Sequence, residues 1–318
     1  DSPRAQPEGL IKLGPKSASQ VLVVGSVAYD SIITPDFSAE RVLGGAAAYA
    51  SIASSFFAPT SLVGIIGNDF NPALLNRFRD HHIDISGLEQ HPTEKTFFWK
   101  GEYTHNLEHR ITHITDLNAF AHFRPQISEH IKTVPFVLLS NIAPELQLYT
   151  LNQIKGNPFV IADTMNYWIQ NTHEQLLELL KRIHVLVIND EEALELSGES
   201  TLVHAGDKLC CLGPTHVIIK KGEHGSMLFN QDGVFALPAY PVRNLVDPTG
   251  AGDAFAGALI GGLASLRQHS SKAIKLGMAY ATAVASITVE AISCDALLPN
   301  ISSEITARVD VLRQMGHF

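Results

Sequence analysis

The sequence predicts an α/β fold, a mainly parallel sheet with helices on both faces. Three observations carry this. Short β-branched runs recur along the chain, each run ends in a glycine or a polar residue, and helical segments lie between them. Strands buried on both faces read as continuous apolar runs, and strand–helix alternation places them side by side under two helical layers. In such sheets ligands bind beyond the carboxyl ends of the strands, so the residues that end each run are the ones to examine.

The elements follow in order. Val21-Leu22-Val23-Val24-Gly25 is the first buried strand. Gly44 and Gly45 open a small-residue stretch over 46–53 that reads as helix, and 61–66 is the next strand. Residues 136–139 end in Ser140 and Asn141, 159–162 end at Asp163, 185–188 end at Asn189, and 217–219 end at Lys220, Lys221 and Gly222. Helices are expected over 173–182 and 191–196. One segment differs. Over 96–103 Phe97, Trp99 and Tyr103 alternate with Phe98, Lys100 and Glu102, and 110–115 reads as a hairpin partner. Period-two alternation predicts antiparallel strands with one covered face. The pair is either an edge hairpin of the main sheet or a small inserted lid.

Composition sets the outer bounds. The 318 residues carry 23 Lys+Arg against 32 Asp+Glu, a net charge of −9. That balance argues against a nucleic-acid binder, which needs a basic surface. It leaves room for small anions, because backbone N–H groups bind phosphate whatever the global charge. A 45% hydrophobic content supports a packed core. Cys210, Cys211 and Cys294 are odd in number and include an adjacent pair, so no disulfide framework is implied. The pair is expected to be inert core. The apolar runs 254–266 and 277–289 fall short of the ~20 residues of a membrane span. Residues 1–20 hold Pro3, Pro7 and Pro15 among polar residues and lack the apolar stretch of a secretion signal, so a loose tail and a cytoplasmic protein are expected.

The chemistry concentrates in Asp247-Pro248-Thr249-Gly250-Ala251-Gly252-Asp253-Ala254-Phe255. Pro248 and the glycines force a loop, and the apolar run behind them forms a helix. Gly250, Ala251 and Gly252 then lie at a helix N-terminus, where unpaired N–H groups and the helix dipole attract an anion. Asp253 beside them is placed to take a proton from a hydroxyl that attacks a bound phosphate. Neither common nucleotide loop fits. The chain has no Gly-Lys dipeptide, and Phe255 breaks a G-x-G-x-x-G reading.

This motif strongly resembles the C-terminal motif of the ribokinase-like (PfkB) carbohydrate kinase family. Other segments resemble the family in the same order: 24–30 its first strand and substrate Asp, 43–48 its Gly-Gly hinge, 189–192 its N-x-x-E motif, and 220–225 a strand–turn beside the nucleotide. The resemblance implies a ribokinase-like α/β fold in one kinase domain over 21–318, with a small β-sheet lid around 30–43 and 94–118. It implies ATP-dependent phosphorylation of a sugar or polyol hydroxyl. The alternatives are a nucleoside kinase of the same fold and a non-catalytic ligand-binding protein that kept it.

The residue roles carried over are these. Asp253 is the catalytic base, with Gly250, Ala251 and Gly252 as the anion hole. Asp30, Gly44 and Gly45 grip the acceptor. Asn189, Lys220, Gly222, Gly225 and Thr249 border ATP. Glu192 holds Mg²⁺ through water, and Asp247 contributes to a monovalent-cation site for K⁺. A homodimer through the lid is also expected, because a face bearing Phe97 and Trp99 needs cover. Tyr49 stands where many members carry an Asn that contacts the sugar, which alters a polar contact. Asp163 and Asn166 follow a strand where some members place substrate contacts. His105, His109 and His113 are read as exposed strand positions rather than a metal set.

Overall fold

The computed structural model describes residues 10–14, 20–104, 107, 110–298 and 300–316. In chain order the elements are β1 (Val21–Val24), β2 (Ala28–Ile33), β3 (Ser38–Gly44), α1 (Ala46–Ser55), β4 (Thr60–Ile66), α2 (Pro72–Asp80), β5 (Asp84–Gln90), β6 (Phe97–Tyr103) and β7 (Arg110–Asp116). They continue with β8 (Phe136–Leu139), α3 (Pro144–Leu151), β9 (Phe159–Asp163), α4 (Asn166–Asn171), α5 (His173–Leu180), β10 (Val185–Asn189), α6 (Asp190–Ser197), α7 (Leu202–Cys210) and β11 (His216–Lys220). The last are β12 (Ser226–Asn230), β13 (Gly233–Leu237), α8 (Ala251–Leu266), α9 (Ser271–Thr288) and α10 (Ser302–Met315).

Nine strands form the main sheet in the order β13-β12-β11-β10-β9-β8-β1-β4-β5. From β5 to β11 the neighbours are parallel. The β12–β13 hairpin adds an antiparallel edge. β1 shows why the body has two cores. Val21 and Val23 point into a core shared with α1, α8 and α9. Leu22 and Val24 point into one shared with α5, α6 and α7. All four are fully buried, and each such side chain contributes about 1.5–3 kcal/mol.

Parallel packing aligns the strand ends. Asp163, Asn189 and Lys220 are the last residues of β9, β10 and β11, and Asn189 pairs directly with Lys220. Gly25 follows β1 and Ser140 follows β8 on the same edge. Among the described residues no helix is long and apolar enough to cross a membrane.

The remaining strands make a separate four-stranded sheet, β3-β2-β6-β7. β6 and β7 are antiparallel, as the alternation predicts. β2 and β6 are parallel, which it does not. The reason lies in the connection. The chain leaves β2 through β3, crosses the body through α1, β4, α2 and β5, and returns to β2 from the same end. The aromatic face is also less bare than expected, because Phe97 stacks on Phe120 of the body with ring centroids 5.3 Å apart.

Two further expectations need correction. Residues 10–14 are packed, not loose. Ile11 is buried against α8 and α9, its N–H donates to the Tyr280 hydroxyl at 3.1 Å, and Gly14 N–H donates to Phe56 O at 2.9 Å. An apolar side chain in the tail found an apolar seam. Residues 1–9 and 15–19 of that tail lie outside the described residues. The cysteine pair is not core either: Cys210 is half-buried and Cys211 is exposed at the end of α7. Burial lifts the Cys210 thiol to about 11, helped by Asp207, so it stays protonated and unreactive at neutral pH.

Candidate active site

The site is built where the small sheet meets the strand ends of the body. Its floor is the start of α8. Gly250 caps this helix with φ 76°, a conformation that favours glycine, and a Cβ there would stand 2.4 Å from the ring of Tyr49. Tyr49 is thus buried under the loop, with its ring packed beneath the turn.

Ala251 N–H donates to Pro248 O at 3.3 Å, and Ala254 N–H donates to Gly250 O at 2.8 Å. The amides between them, of Gly252 and Asp253, find no acceptor among the described residues. Two aimed, unsatisfied amides at the positive end of a 16-residue helix form an anion cradle. The cradle fits a phosphoryl group.

The loop before it is tightly tied. Asp247 is fully buried and accepts from Thr249 N–H at 2.9 Å and from Ser293 N–H at 3.0 Å. Thr249 Oγ1 meets the Tyr103 hydroxyl at 2.9 Å, which links the small sheet to the loop. The carboxylate of Asp247 therefore holds the loop's shape through backbone amides.

Asp253 lies in the first turn of α8, partly accessible to solvent. Burial and the nearby Asp163 raise its pKa to about 7, while Lys220 and Arg110 pull the other way. A carboxylate tuned toward neutrality suits a general base. Asp30, on β2, is 5% exposed, and its pKa rises to about 8 through burial and then Asp247 and Asp253. It sits on Gly44, where a Cβ would stand 2.1 Å from the Asp30 carboxyl carbon. Gly45 starts α1, whose first amides are held by Ser26, from Ala46 N–H to Ser26 Oγ at 3.0 Å and from Ala47 N–H to Ser26 O at 3.0 Å. Asp30, Gly44, Asp247 and Asp253 are thereby brought close together.

A second group lies at the ends of β9, β10 and β11. Lys220 Nζ stands 3.5 Å from Asp163 Oδ2. Asn189 and Glu192 form a reciprocal capping box on α6. Asn189 Oδ1 accepts from Glu192 N–H at 2.7 Å, and Glu192 Oε2 accepts from Asn189 N–H at 3.1 Å. Such a cap contributes about 1 kcal/mol. Burial, with Asp163 nearby, lifts Glu192 to about 7.

Among the described residues no three His, Cys, Asp or Glu side chains converge to hold a metal directly. The arrangement fits Mg²⁺ only through water, on the Glu192 oxygen that the cap does not use. Gly222 and Gly225 bound the turn after β11, closed by Lys221 N–H to Gly225 O at 2.8 Å. Asn166 is exposed and accepts from Tyr167 N–H at 2.9 Å. His113 is exposed and pairs with Glu102 at 2.7 Å, while His105 and His109 lie outside the described residues.

Arg110 was not legible as a site residue. It opens β7 opposite Tyr103, with its guanidinium 5.3 Å from the centre of the Trp99 ring. Its charge favours the ionised forms of Asp30, Asp253 and Glu192. The alternation drew attention to aromatic cover and passed over a cation on the same hairpin.

These shifts have a consequence for stability. Unfolded carboxylates titrate near 4, whereas in the fold Asp30 titrates at about 8 and Asp253 at about 7. The folded chain binds more protons between these limits, so stability falls as pH rises from about 4 to 8. The melting temperature of the ligand-free protein is expected to drop from pH 5 to pH 8. A thermal-shift series in one constant-ionic-strength buffer checks this. A melting temperature that rises across that range would contradict it.

Comparison with known proteins places this geometry. The fold is that of ribokinase-family kinases. A crystal structure of the Methanocaldococcus jannaschii nucleoside kinase superposes with a TM-score of 0.74 at 22% identity, over 94% of this chain and all of that one. An Escherichia coli structure described as a ribokinase II, solved with ATP and Mg²⁺, superposes with a TM-score of 0.76 at 21% identity, over 92% of this chain and 99% of that one. The pattern of the pfkB family of carbohydrate kinases matches residues 18–301, and the chain belongs to that family. It is 29% identical over 279 residues to a cytidine kinase of Thermococcus kodakarensis, covering 83% of this chain and 95% of that protein. The M. jannaschii nucleoside kinase is 27% identical over 267 residues, covering 82% and 84%.

Proposed function

We propose that this protein transfers the terminal phosphoryl group of ATP to a sugar hydroxyl of a small acceptor, with a nucleoside the favoured class. One observation carries the chemistry: a carboxylate with its pKa raised to about 7, Asp253, stands beside two unsatisfied amides at the start of α8. Asp253 takes the proton of the attacking hydroxyl. The free amides of Gly252 and Asp253, at the Gly250-Ala251-Gly252 turn, receive the charge of the phosphoryl group as it moves. Phosphoryl transfer depends mostly on such positioning and charge stabilisation.

Asp30, over Gly44 and Gly45, orients the acceptor. With a pKa of about 8 it is protonated in the empty site and donates a hydrogen bond to the acceptor. Asn189, Lys220, Gly222, Gly225 and Thr249 border the nucleotide. Mg²⁺, when bound through water by Glu192, screens the phosphate charge. The small sheet acts as the lid, tied to the catalytic loop by Tyr103 and Thr249, and keeps water from the reaction.

The nucleoside class is favoured by the two relatives named above, a cytidine kinase and a nucleoside kinase. Trp99, half-buried on the small sheet, supplies an aromatic face for a base. Steady-state assays with cytidine, other nucleosides, free pentoses and hexoses, and polyols separate the classes. The best nucleoside is expected to exceed free ribose at least ~10-fold in kcat/KM, the worth of one stacking contact. A free sugar or polyol that outperforms every nucleoside would return the acceptor to the carbohydrate class.

A further inference from the structure

We propose that Lys220 is a catalytic residue of this site, with its ammonium, braced by Asp163 beside Gly252, contacting the phosphoryl group as it is transferred. The inference rests on the reading above and deepens it: bordering the nucleotide is not the same as touching the moving phosphoryl.

The geometry is specific. Lys220 Nζ lies 2.8 Å from where a Cβ on Gly252 would stand, so the ammonium is at the anion cradle itself. Asp163 Oδ2 lies 3.5 Å from Nζ. The other oxygen, Oδ1, accepts from Thr164 N–H at 2.9 Å, so the bracing carboxylate is held at both ends. The side chains are 19% and 8% exposed, which leaves little water to spread the charge.

The placement runs against local electrostatics. A cation at the N-terminal end of a helix faces the positive pole of the dipole. Here burial disfavours the charge as well, yet Asp163, Glu192 and Asp253 together keep Lys220 protonated. Two strand ends and two helices thus hold a positive charge beside two amide donors, an arrangement that an anionic ligand completes. Lys220 is the last residue of β11 and Asp163 the last of β9, so the rigid sheet sets the separation.

The step balances simply. The acceptor oxygen bonds to the γ-phosphorus as the bond from that phosphorus to the bridging oxygen breaks. The electron pair leaves with ADP, and the acceptor proton goes to Asp253. Lys220 forms no covalent bond. It donates N–H hydrogen bonds to the phosphoryl oxygens and loosens from Asp163 as it does so. Asp163 is a positioning residue.

Calorimetry with a phosphoryl mimic tests this without knowledge of the acceptor. ADP with Mg²⁺ is titrated into the full chain with and without beryllium fluoride, and melting curves confirm that each variant is folded. In the wild type, fluoride is expected to tighten ADP binding at least ~10-fold, the worth of a charge-assisted hydrogen bond. Lys220→Met is expected to keep ADP affinity within about threefold while losing that tightening. Lys220→Arg restores part of it. Asp163→Asn, which leaves the ammonium unbraced, gives an intermediate loss and serves if Lys220→Met does not fold.

Full fluoride tightening in Lys220→Met would overturn the proposal. So would an equal loss of ADP affinity with and without fluoride, which marks a plain nucleotide anchor. A wild type that ignores ADP altogether would overturn the phosphotransferase reading, and the proposal with it.

Discussion

Asp253→Asn is expected to lower kcat at least ~100-fold while ATP still binds, the smaller end of what a lost general base costs. Asn fills the same space and keeps the start of α8 intact, so the anion cradle survives. What disappears is the group that accepts a proton near neutral pH, since the native carboxyl titrates at about 7. The pH profile separates this role from a structural one. The wild-type kcat should rise with pH as Asp253 ionises, and the residual rate of the variant should lack that limb. A variant with near-normal kcat, or with the same limb, would remove Asp253 from the role of base.

Gly44→Ala is expected to raise the acceptor KM about 10-fold or more and to leave the KM for ATP within about twofold, as loss of an orienting hydrogen bond does. The new methyl would sit 2.1 Å from the Asp30 carboxyl carbon. Asp30 is only 5% exposed, so the carboxyl has little room to yield. It must leave the position from which it meets the acceptor. Overpacking of this kind also costs about 1–3 kcal/mol of stability. Asp30→Ala should show a similar acceptor KM, and the double variant should be no worse than either single one, because both changes remove one contact. Equal rises in both KM values would show that the substitution merely loosens the whole site.

Much of this was legible in the chain because it is local. The loop 247–253 and the apolar helix behind it lie within one stretch of sequence, and glycine, proline and the Asp247 carboxylate that accepts from Thr249 N–H carry their geometry with them. Asp163, Asn189 and Lys220 were visible as strand ends, since an apolar run that stops at a polar residue marks the edge of a buried strand. What escaped depends on contacts between distant segments. Nothing near Arg110 says that its charge acts on Asp30 and Asp253, and nothing near Ser293 says that its amide holds Asp247.

Tyr49 stands, by resemblance, where many family members carry an Asn, and nothing local shows that its ring packs under Gly250. The parallel pairing of β2 with β6 is set by a crossover through the body, which no local alternation encodes. Asn189 and Glu192 show a different limit. The same two residues serve as a helix cap in the structure and as a water-mediated metal site in the proposed mechanism, and pattern alone does not separate the two uses.

The acidic balance of −9 is also clearer with the site in view. Several of those carboxylates are concentrated at the site, where burial and mutual repulsion keep Asp30, Asp253 and Glu192 near or above neutrality. The local positive charge that an anion needs comes from Lys220, Arg110 and the amides of α8.

The central claim is that the terminal phosphoryl group of ATP moves onto a hydroxyl of a small acceptor. Its most direct measurement follows label from [γ-³²P]ATP in the presence of Mg²⁺ and a mixed pool of nucleosides, sugars and polyols, with Asp253→Asn as the blank. The account predicts that the wild type places label in an organic phosphomonoester, one per ADP formed, and that the variant does so at least ~100-fold more slowly. Label that stays in ATP, or appears only as inorganic phosphate with every acceptor present, would contradict it.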